Sequence, residues 1–250
     1  LIQEPLERGM LVLRNKDGVR NTHTDHPEVM FSLDGKPLEH TGQVIGAALC
    51  YSGNYELRID TKDTDYHEFF AGINPDNSAY ILASKEVFKT PELALTYSDE
   101  GHSGASRNFH RWGRKYKLAH GDKERKILLN SWEGVYFDIN EPGMDQMMGD
   151  IASMGGELFV MDDGWFGNKY ARTDSQGLGD WEVCRERLPE GIGRLIEYAH
   201  GKNIRFGIWI EPEMVNYKSE LYEKHPDWVL KNEHFDPTYG RGGTQLLLDL

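Results

Sequence analysis

The sequence predicts the end of an antiparallel β-sandwich followed by the first half of a (β/α)8 TIM barrel. Short apolar runs separated by turn residues fill the chain to about residue 120, which is typical of a sandwich. From about residue 126 strands and helices alternate, which implies a parallel sheet. These later strands end in polar or aromatic residues, as a barrel mouth requires. We therefore expect one domain over 1–120 and a second over 121–250.

The first domain is predicted to contain several strands and one helix. Val44–Tyr51 and Tyr55–Ile59, joined by a short Ser-Gly-Asn turn, have the pattern of a hairpin. A helix is expected over Ser103–Lys117, with Ser103 as its N-cap. Further strands are expected at Glu68–Ile73, Ala79–Ala83 and Glu92–Tyr97.

The second domain is predicted to alternate strands with helices. Asn140 caps a helix that has Pro142 in its first turn, and methionines recur along it at helical spacing. A second helix starts at Pro189-Glu190 and ends near Gly201, and Ser219–His225 forms a third. The four expected strands are Ile127–Trp132, Leu158–Met161, Ile204–Ile210 and Gln245–Leu250.

The strand count and the motifs favour half a barrel over other parallel sheets. A complete TIM barrel needs roughly 250 residues, and about half that number follow the first domain, so we expect about four of its eight strands. A flavodoxin-like or Rossmann sheet is the alternative. However, neither a Gly-x-Gly-x-x-Gly stretch nor a P-loop follows any of the strands.

Composition excludes several classes of partner. The formal net charge of -13 and the pI near 5.2 argue against nucleic acid or an anionic membrane. No apolar run approaches the roughly 20 residues that cross a bilayer. Cys50 and Cys184 are far apart and are expected to be free thiols. The first residue is not methionine, and we expect the chain to be a piece of a longer protein or a processed product.

The chemistry is expected at the ends of the parallel strands. Asp162 and Asp163 follow an apolar strand directly, and Trp132 and Trp209 stand at the ends of two others. Carboxylates accept hydrogen bonds from hydroxyls, and aromatic rings pack on the C–H face of a sugar. This pattern predicts a polyhydroxylated ligand. From the residues alone, Asp163 and Glu211 would be the natural acid pair of a glycosidase.

Structural explanations remain open for each of these residues. Asp-Asp-Gly after a strand is often a loop start whose acids accept backbone N–H bonds. The two tryptophans could be core residues, and Arg241 could be a solvated loop arginine. Metal binding by His23–Glu28, or Mg²⁺ at Asp162-Asp163, is disfavoured because partner ligands and a phosphate cradle are missing. We expect no metal and no cofactor.

Several motifs resemble those of the bacterial α-galactosidases of glycoside hydrolase family 36. They occur in the family's order over nearly the whole chain. The motifs are Tyr51-Ser52-Gly53-Asn54, Thr90-Pro91-Glu92, Leu129-Asn130-Ser131-Trp132-Glu133, Phe159-Val160-Met161-Asp162-Asp163-Gly164-Trp165-Phe166-Gly167, Leu178-Gly179-Asp180-Trp181, Phe206-Gly207-Ile208-Trp209-Ile210-Glu211-Pro212-Glu213-Met214-Val215, His225-Pro226-Asp227-Trp228 and Leu247-Leu248-Asp249-Leu250.

The resemblance implies a β-supersandwich joined to a (β/α)8 barrel and a homotetrameric enzyme without a cofactor. It implies retaining hydrolysis of terminal α-galactose from oligosaccharides such as raffinose and melibiose. Asp162 and Asp163 would bind galactose hydroxyls, Trp132 and Trp209 would wall the pocket, and Arg241 would contribute to the site.

The resemblance also removes Asp163 and Glu211 as the acid pair. The family's nucleophile is an aspartate in a Lys-Trp-Asp stretch, and its acid/base aspartate lies further along the chain. Neither segment is present in these 250 residues. We therefore expect no catalytic residue here and no activity from this chain alone. The alternative is a non-catalytic carbohydrate-binding or assembly module.

Overall fold

The chain divides into two compact units, Leu1–Lys123 and Glu124–Leu250. The computed structural model describes residues 3–18, 26–36, 38–63, 66–231, 234, 237 and 243–249.

The first unit contains two antiparallel three-stranded sheets and one helix. One sheet has the order β1-β4-β5 and the other β2-β3-β6. Its elements are β1 (Gly9–Arg14), β2 (Glu28–Ser32), β3 (Val44–Cys50), β4 (Tyr55–Asp63), β5 (Tyr66–Ile73), β6 (Glu92–Ser98) and α1 (Gly101–Tyr116).

The strands expected at residues 44–51 and 55–59 exist, but the prediction that they form a hairpin is wrong. β3 pairs with β2 and β6, whereas β4 pairs with β1 and β5. The chain therefore changes sheets at the Ser-Gly-Asn turn. The change lets Leu49 on one sheet share a buried cluster with Tyr55 and Leu57 on the other. Burying three apolar side chains outweighs the local turn preference.

Two further expectations for this unit are corrected. Ala79–Ala83 is irregular rather than a strand, and Ile81 in it is 90% exposed, so its side chain gains little from the burial that favours a strand. The helix begins at Gly101, and Ser103 lies inside its first turn instead of capping it. Gly101 has a φ of +66°, in the left-handed region that glycine adopts more easily than other residues. The helix therefore begins at this glycine.

The second unit is built on a parallel sheet with the order β7-β8-β9. Its elements are β7 (Leu128–Asn130), α2 (Trp132–Val135), α3 (Glu141–Ser153), β8 (Leu158–Met161), α4 (Gly191–Gly201), β9 (Arg205–Ile208), β10 (Met214–Asn216), α5 (Glu220–Lys224), a 3₁₀ turn (Pro226–Trp228) and β11 (Gln245–Leu247).

The predicted cap at Asn140 is confirmed, and the structure adds a second cap at Ser219. Asn140 Oδ1 accepts the Gly143 N–H at 2.9 Å, and Ser219 Oγ accepts the Tyr222 N–H at 3.0 Å. Met144 and Met148 of α3 are fully buried against the sheet. Met154 was expected on the same face, but it lies just past the helix and is 71% exposed.

The strand expected at Gln245–Leu250 pairs differently from the prediction. β11 is antiparallel to β10, with Val215 opposite Leu246, and it does not join the parallel sheet. These two residues form a separate buried cluster with Val229. The cluster gives β10 and β11 apolar partners of their own, and this accounts for the pairing.

Both cysteines are free thiols, Cys50 half-buried and Cys184 buried. Across the described ranges, no helix combines the length and the apolar character needed to cross a bilayer.

Candidate functional site

The carboxyl ends of β7, β8 and β9 bring three of the motifs to one edge. The Ser131 N–H donates to the Val160 carbonyl at 3.0 Å, and the Trp209 N–H donates to the Met161 carbonyl at 2.9 Å. The parallel register thus continues one residue past each strand. Asp162 therefore emerges between the chain at Ser131 and the chain at Trp209. Parallel sheets place ligand-binding groups at this edge.

Asp162 is half-buried and its carboxylate is fixed on both oxygens. Oδ2 accepts the Asn130 side-chain amide at 2.5 Å, and Oδ1 accepts the Asp163 N–H at 2.7 Å. Its own N–H donates to Ser131 Oγ at 3.0 Å. An ionised carboxylate offers about four acceptor sites, so each oxygen keeps capacity for a further donor. The Asp162 carboxylate is therefore held in one orientation in which it can accept hydrogen bonds from ligand hydroxyls.

Asp163 differs from its neighbour because it is 6% exposed and ion-paired. Arg172 Nε lies 2.8 Å from Oδ1 and 3.1 Å from Oδ2, and Arg172 Nη2 lies 2.8 Å from Oδ2. Burial raises the pKa of the Asp163 carboxyl, while the hydrogen bonds and charge of Arg172 act in the opposite direction. This aspartate offers a ligand far less free acceptor capacity than Asp162 does.

Arg172 is the site residue that sequence reasoning missed. It is 1% exposed, and its guanidinium lies over the rings of Phe137 and Phe166, at 5.3 and 5.9 Å from their centres. Its Nη1 donates to the carbonyl of Thr173 and to Asn216 Oδ1 at 3.2 Å. The polar stretch around it gives no periodic signal of burial, so only its distance of nine residues from Asp163 could have drawn attention to it.

Trp132 is half-buried and belongs to α2. The prediction that it ends the first parallel strand is therefore wrong. Asn130 Oδ1 accepts the Trp132 N–H at 2.7 Å, and this turn ends β7 at Asn130. The indole makes edge contacts with Tyr136 and Phe137, with ring centres 5.2 and 5.0 Å away. A partly exposed aromatic ring therefore lies just past the end of β7.

Trp209 is also half-buried and directly follows β9. Its carbonyl accepts the Trp165 indole N–H at 3.0 Å, and its ring lies 6.3 Å from that of Trp181. The tryptophans of three sequence motifs thus meet in one aromatic cluster. Neither Trp132 nor Trp209 is a fully buried core residue.

Asp180 has a role that the sequence did not indicate. Its two carboxylate oxygens accept the N–H groups of Glu220 and Leu221, each at 2.9 Å, at the start of α5. Burial raises the pKa of the Asp180 carboxyl, and the two N–H groups lower it. The Leu-Gly-Asp-Trp motif therefore ties the long β8–α4 connection to α5.

The remaining candidates are placed only in part. Arg241 and His23 lie outside the described residues. Glu211 is half-buried, two residues beyond Trp209. Within the part of the chain that the structure describes, no group of three or more histidine, cysteine or acidic residues has the geometry to hold a metal ion.

Comparison with known proteins decides the family. The family model described as Melibiase matches residues 87–250, and the glycosyl hydrolase family 36 N-terminal domain matches residues 1–83. The chain belongs to glycoside hydrolase family 36. The resemblance read from the motifs is confirmed.

Relatives of this family 36 chain are α-galactosidases. AgaA of Geobacillus stearothermophilus is 38% identical over 99% of this chain and 33% of its own length. Mel36A of Lactobacillus acidophilus is 35% identical over 91% of this chain and 31% of its own length. The fungal α-galactosidase C of Emericella nidulans is 40% identical over 85% of this chain and 30% of its own length. The family 36 chain thus spans about a third of the length of these relatives.

Solved structures agree with the fold. The crystal structure of AgaA superposes with a TM-score of 0.88, over 98% of this chain and 34% of that one. The galactosidase domain of AgaSK superposes with a TM-score of 0.86 at 35% identity, over 98% and 34%. Variants of AgaA have been solved with raffinose and with stachyose. The predicted fold class, a sandwich end followed by the start of a TIM barrel, is confirmed.

Proposed function

We propose that this chain forms the galactose-holding part of an α-galactosidase active site. The observation that carries the proposal is the Asp162 carboxylate, half-exposed at the end of β8 and fixed by Asn130 and the Asp163 N–H. A charged acceptor held in one orientation gains hydrogen bonds to sugar hydroxyls without first paying the entropy of ordering its side chain.

The neighbouring residues complete the proposed pocket. Trp132 and Trp209 supply aromatic faces for the apolar side of the sugar. Asp163 contributes the acceptor capacity that Arg172 leaves free, and Arg241 adds a donor for further hydroxyls. These roles stand on the chemistry of the side chains and on the family resemblance.

The reaction itself requires two carboxyl groups that this chain does not supply. Retaining glycosidases place a nucleophile and an acid/base about 5 to 5.5 Å apart and pass through a covalent glycosyl intermediate. No Lys-Trp-Asp stretch occurs in these 250 residues. We propose that both catalytic aspartates come from elsewhere in the protein as its gene encodes it, with raffinose-type α-galactosides as substrates.

We further propose that 1–120 and 121–250 are the end of the β-supersandwich and the first half of the barrel in a homotetrameric enzyme. The break between the two compact units at Lys123 supports this division. Relatives crystallised with raffinose and stachyose support the substrate class.

Asp162→Asn in the protein as its gene encodes it tests the assignment. The change removes the charge and replaces one accepting oxygen with an NH2 group that faces Asn130 or the Asp163 N–H. We expect KM for an aryl α-galactoside to rise at least about tenfold, since one charge-assisted hydrogen bond contributes about 1.5–3 kcal/mol. Glu197→Gln is the matched control, because Glu197 is exposed on α4 and its loss removes the same charge.

The outcomes separate the two candidate functions. An unchanged KM in the Asp162 variant would remove this residue from the site. The 250-residue chain by itself should bind galactose in a titration yet release no aryl alcohol. If the protein as its gene encodes it also binds without turnover, the non-catalytic carbohydrate-binding module is the better description.

A further inference from the structure

We infer that Arg172 is a positioning residue for the sugar site, which it serves by holding Asp163 and, through it, the acceptor geometry of Asp162. This inference rests on the proposed function. No ligand needs to touch Arg172 for it to act, since the side chain is 1% exposed and its nitrogens donate to Asp163 and Asn216.

Arg172 holds the Asp163 carboxylate in a side-on pair. Two guanidinium nitrogens face the two carboxylate oxygens side-on, at 2.8 to 3.1 Å. Such a planar fork restricts the rotation of the carboxylate as well as neutralising its charge. A lysine at this position would keep the charge but lose the fork.

One hydrogen bond connects Asp163 to the proposed sugar acceptor, Asp162. The Asp163 N–H donates to Asp162 Oδ1 at 2.7 Å, so the orientation of the Asp163 backbone sets one of the two bonds that fix Asp162. The other bond comes from Asn130. A tilt of the Asp163 peptide would therefore move the acceptor that faces the ligand.

Arg172 also anchors the two aspartates to other parts of the second unit. Its Nη1 reaches Asn216 Oδ1 on β10 at 3.2 Å. Asn216 also accepts the Leu178 N–H at 3.0 Å and donates to the Thr244 carbonyl at 3.0 Å. Four separate stretches of chain are thus tied to one guanidinium, directly or through one amide.

Arg172 also supplies the counter-charge of the Asp163 carboxylate. The charged groups against the Asp163 carboxylate are Arg172 and the neighbouring Asp162, and the Gly164 N–H adds a favourable bond. β10 contributes the neutral Asn216, and Phe137 presents an apolar ring to the guanidinium. Without Arg172, the two adjacent carboxylates would lose the one cation that the described part of the chain places against Asp163. One of them would then bind a proton at a higher pH.

The test uses a graded series in the protein as its gene encodes it. Arg172→Lys keeps the charge and removes the fork. Arg172→Gln removes the charge, and the double variant Arg172→Gln with Asp163→Asn leaves no lone buried charge. The matched control is Arg194→Lys, because Arg194 makes a bidentate pair with Asp145 between α3 and α4, away from the strand ends.

The expected result is a KM effect at Arg172 that Arg194 does not share. We expect Arg172→Lys to raise KM for an aryl α-galactoside about tenfold or more with kcat within about threefold, because a misplaced ligand group weakens ground-state and transition-state binding together. Arg194→Lys should leave KM within about twofold. Arg172→Gln should also move the acid limb of the kcat/KM profile to higher pH.

The double variant keeps the inference falsifiable if Arg172→Gln alone fails to fold. It should recover the parental melting temperature more closely than the single variant, yet have a KM above that of Asp163→Asn alone, since Asp163 is itself part of the proposed pocket. A parental KM in folded Arg172→Lys or in the folded double variant would overturn the inference while leaving the proposed function intact. A parent protein with no activity on α-galactosides would overturn the proposed function, and this inference with it.

Discussion

Replacing Asn130 by aspartate tests how Asp162 is held, because it keeps the side-chain shape and replaces a donor with an acceptor. The Asn130 amide nitrogen lies 2.5 Å from Asp162 Oδ2. In Asn130→Asp, two carboxylate oxygens would meet at that distance. Two unit charges so placed repel by about 7 kcal/mol at an effective dielectric constant of about 20.

The variant has a less costly alternative, which is to hold one proton between the two carboxylates. An ordinary carboxyl group titrates near pH 4, so keeping it protonated at pH 7 costs about 4 kcal/mol. Since this is less than the repulsion, we expect a shared proton at neutral pH and a loss of up to about 4 kcal/mol of folding free energy there.

The pH dependence follows from the proton count. The folded variant binds one proton more than the unfolded chain between about pH 4 and pH 7, so its stability falls as the pH rises. The deficit relative to the parent should therefore shrink by about 1.4 kcal/mol for each pH unit from 7 down to 5. Urea unfolding at pH 5, 6 and 7 measures it directly.

Asn168→Asp is the control for this series. Asn168 is exposed and its Oδ1 accepts the Arg185 N–H at 3.0 Å, so an aspartate there keeps its bond and faces a donor. Its stability should differ from that of the parent by about the same small amount at every pH. An Asn130→Asp deficit that is equal at pH 5 and pH 7 would refute the contact between the two side chains.

Two more predictions concern stability. Gly104→Ala in α1 should lower the free energy of unfolding by about 1–3 kcal/mol in chemical denaturation, because a Cβ there overlaps Ser98 Oγ. Gly113→Ala in the same helix places its Cβ where nothing lies within 4 Å, and it should raise the free energy of unfolding by about 0.5–1 kcal/mol. Equal effects of the two changes would contradict this packing. Burial raises the folded-state pKa of Asp180. The free energy of unfolding of the parent, measured relative to that of Asp180→Asn, should therefore fall as the pH rises through the range just above 4. A difference that grows with pH would contradict this prediction.

The positions at the ends of the parallel strands could be predicted from the sequence. Asp162 and Trp209 were predicted to lie at one edge, and the parallel register puts both there. That prediction needs only the rule that parallel strands end on the same side. The pairing of β3 with β6 instead of β4 could not be predicted in this way, because it depends on which distant strands bury Leu49.

Asp162 and Asp163 are the residues for which the sequence and the structure give the most different descriptions. The sequence marks Asp162 and Asp163 as equal members of one motif, and the family resemblance assigns them the same role. The structure separates them, since one is half-exposed and held by neutral donors while the other is buried against Arg172. Side-chain burial is set by the whole fold, so two identical residues one position apart reach different environments.

Local patterns in the sequence therefore determined most of the strands, the helix cap at Asn140, and the family. These depend on residues within a few positions of each other and on motifs that can be compared directly. Only the tertiary structure decided which strands pair, that Trp132 leaves its strand, and that Arg172 reaches Asp163. Those outcomes depend on burying apolar and charged groups contributed by distant parts of the chain, and this burial is a property of the packed unit.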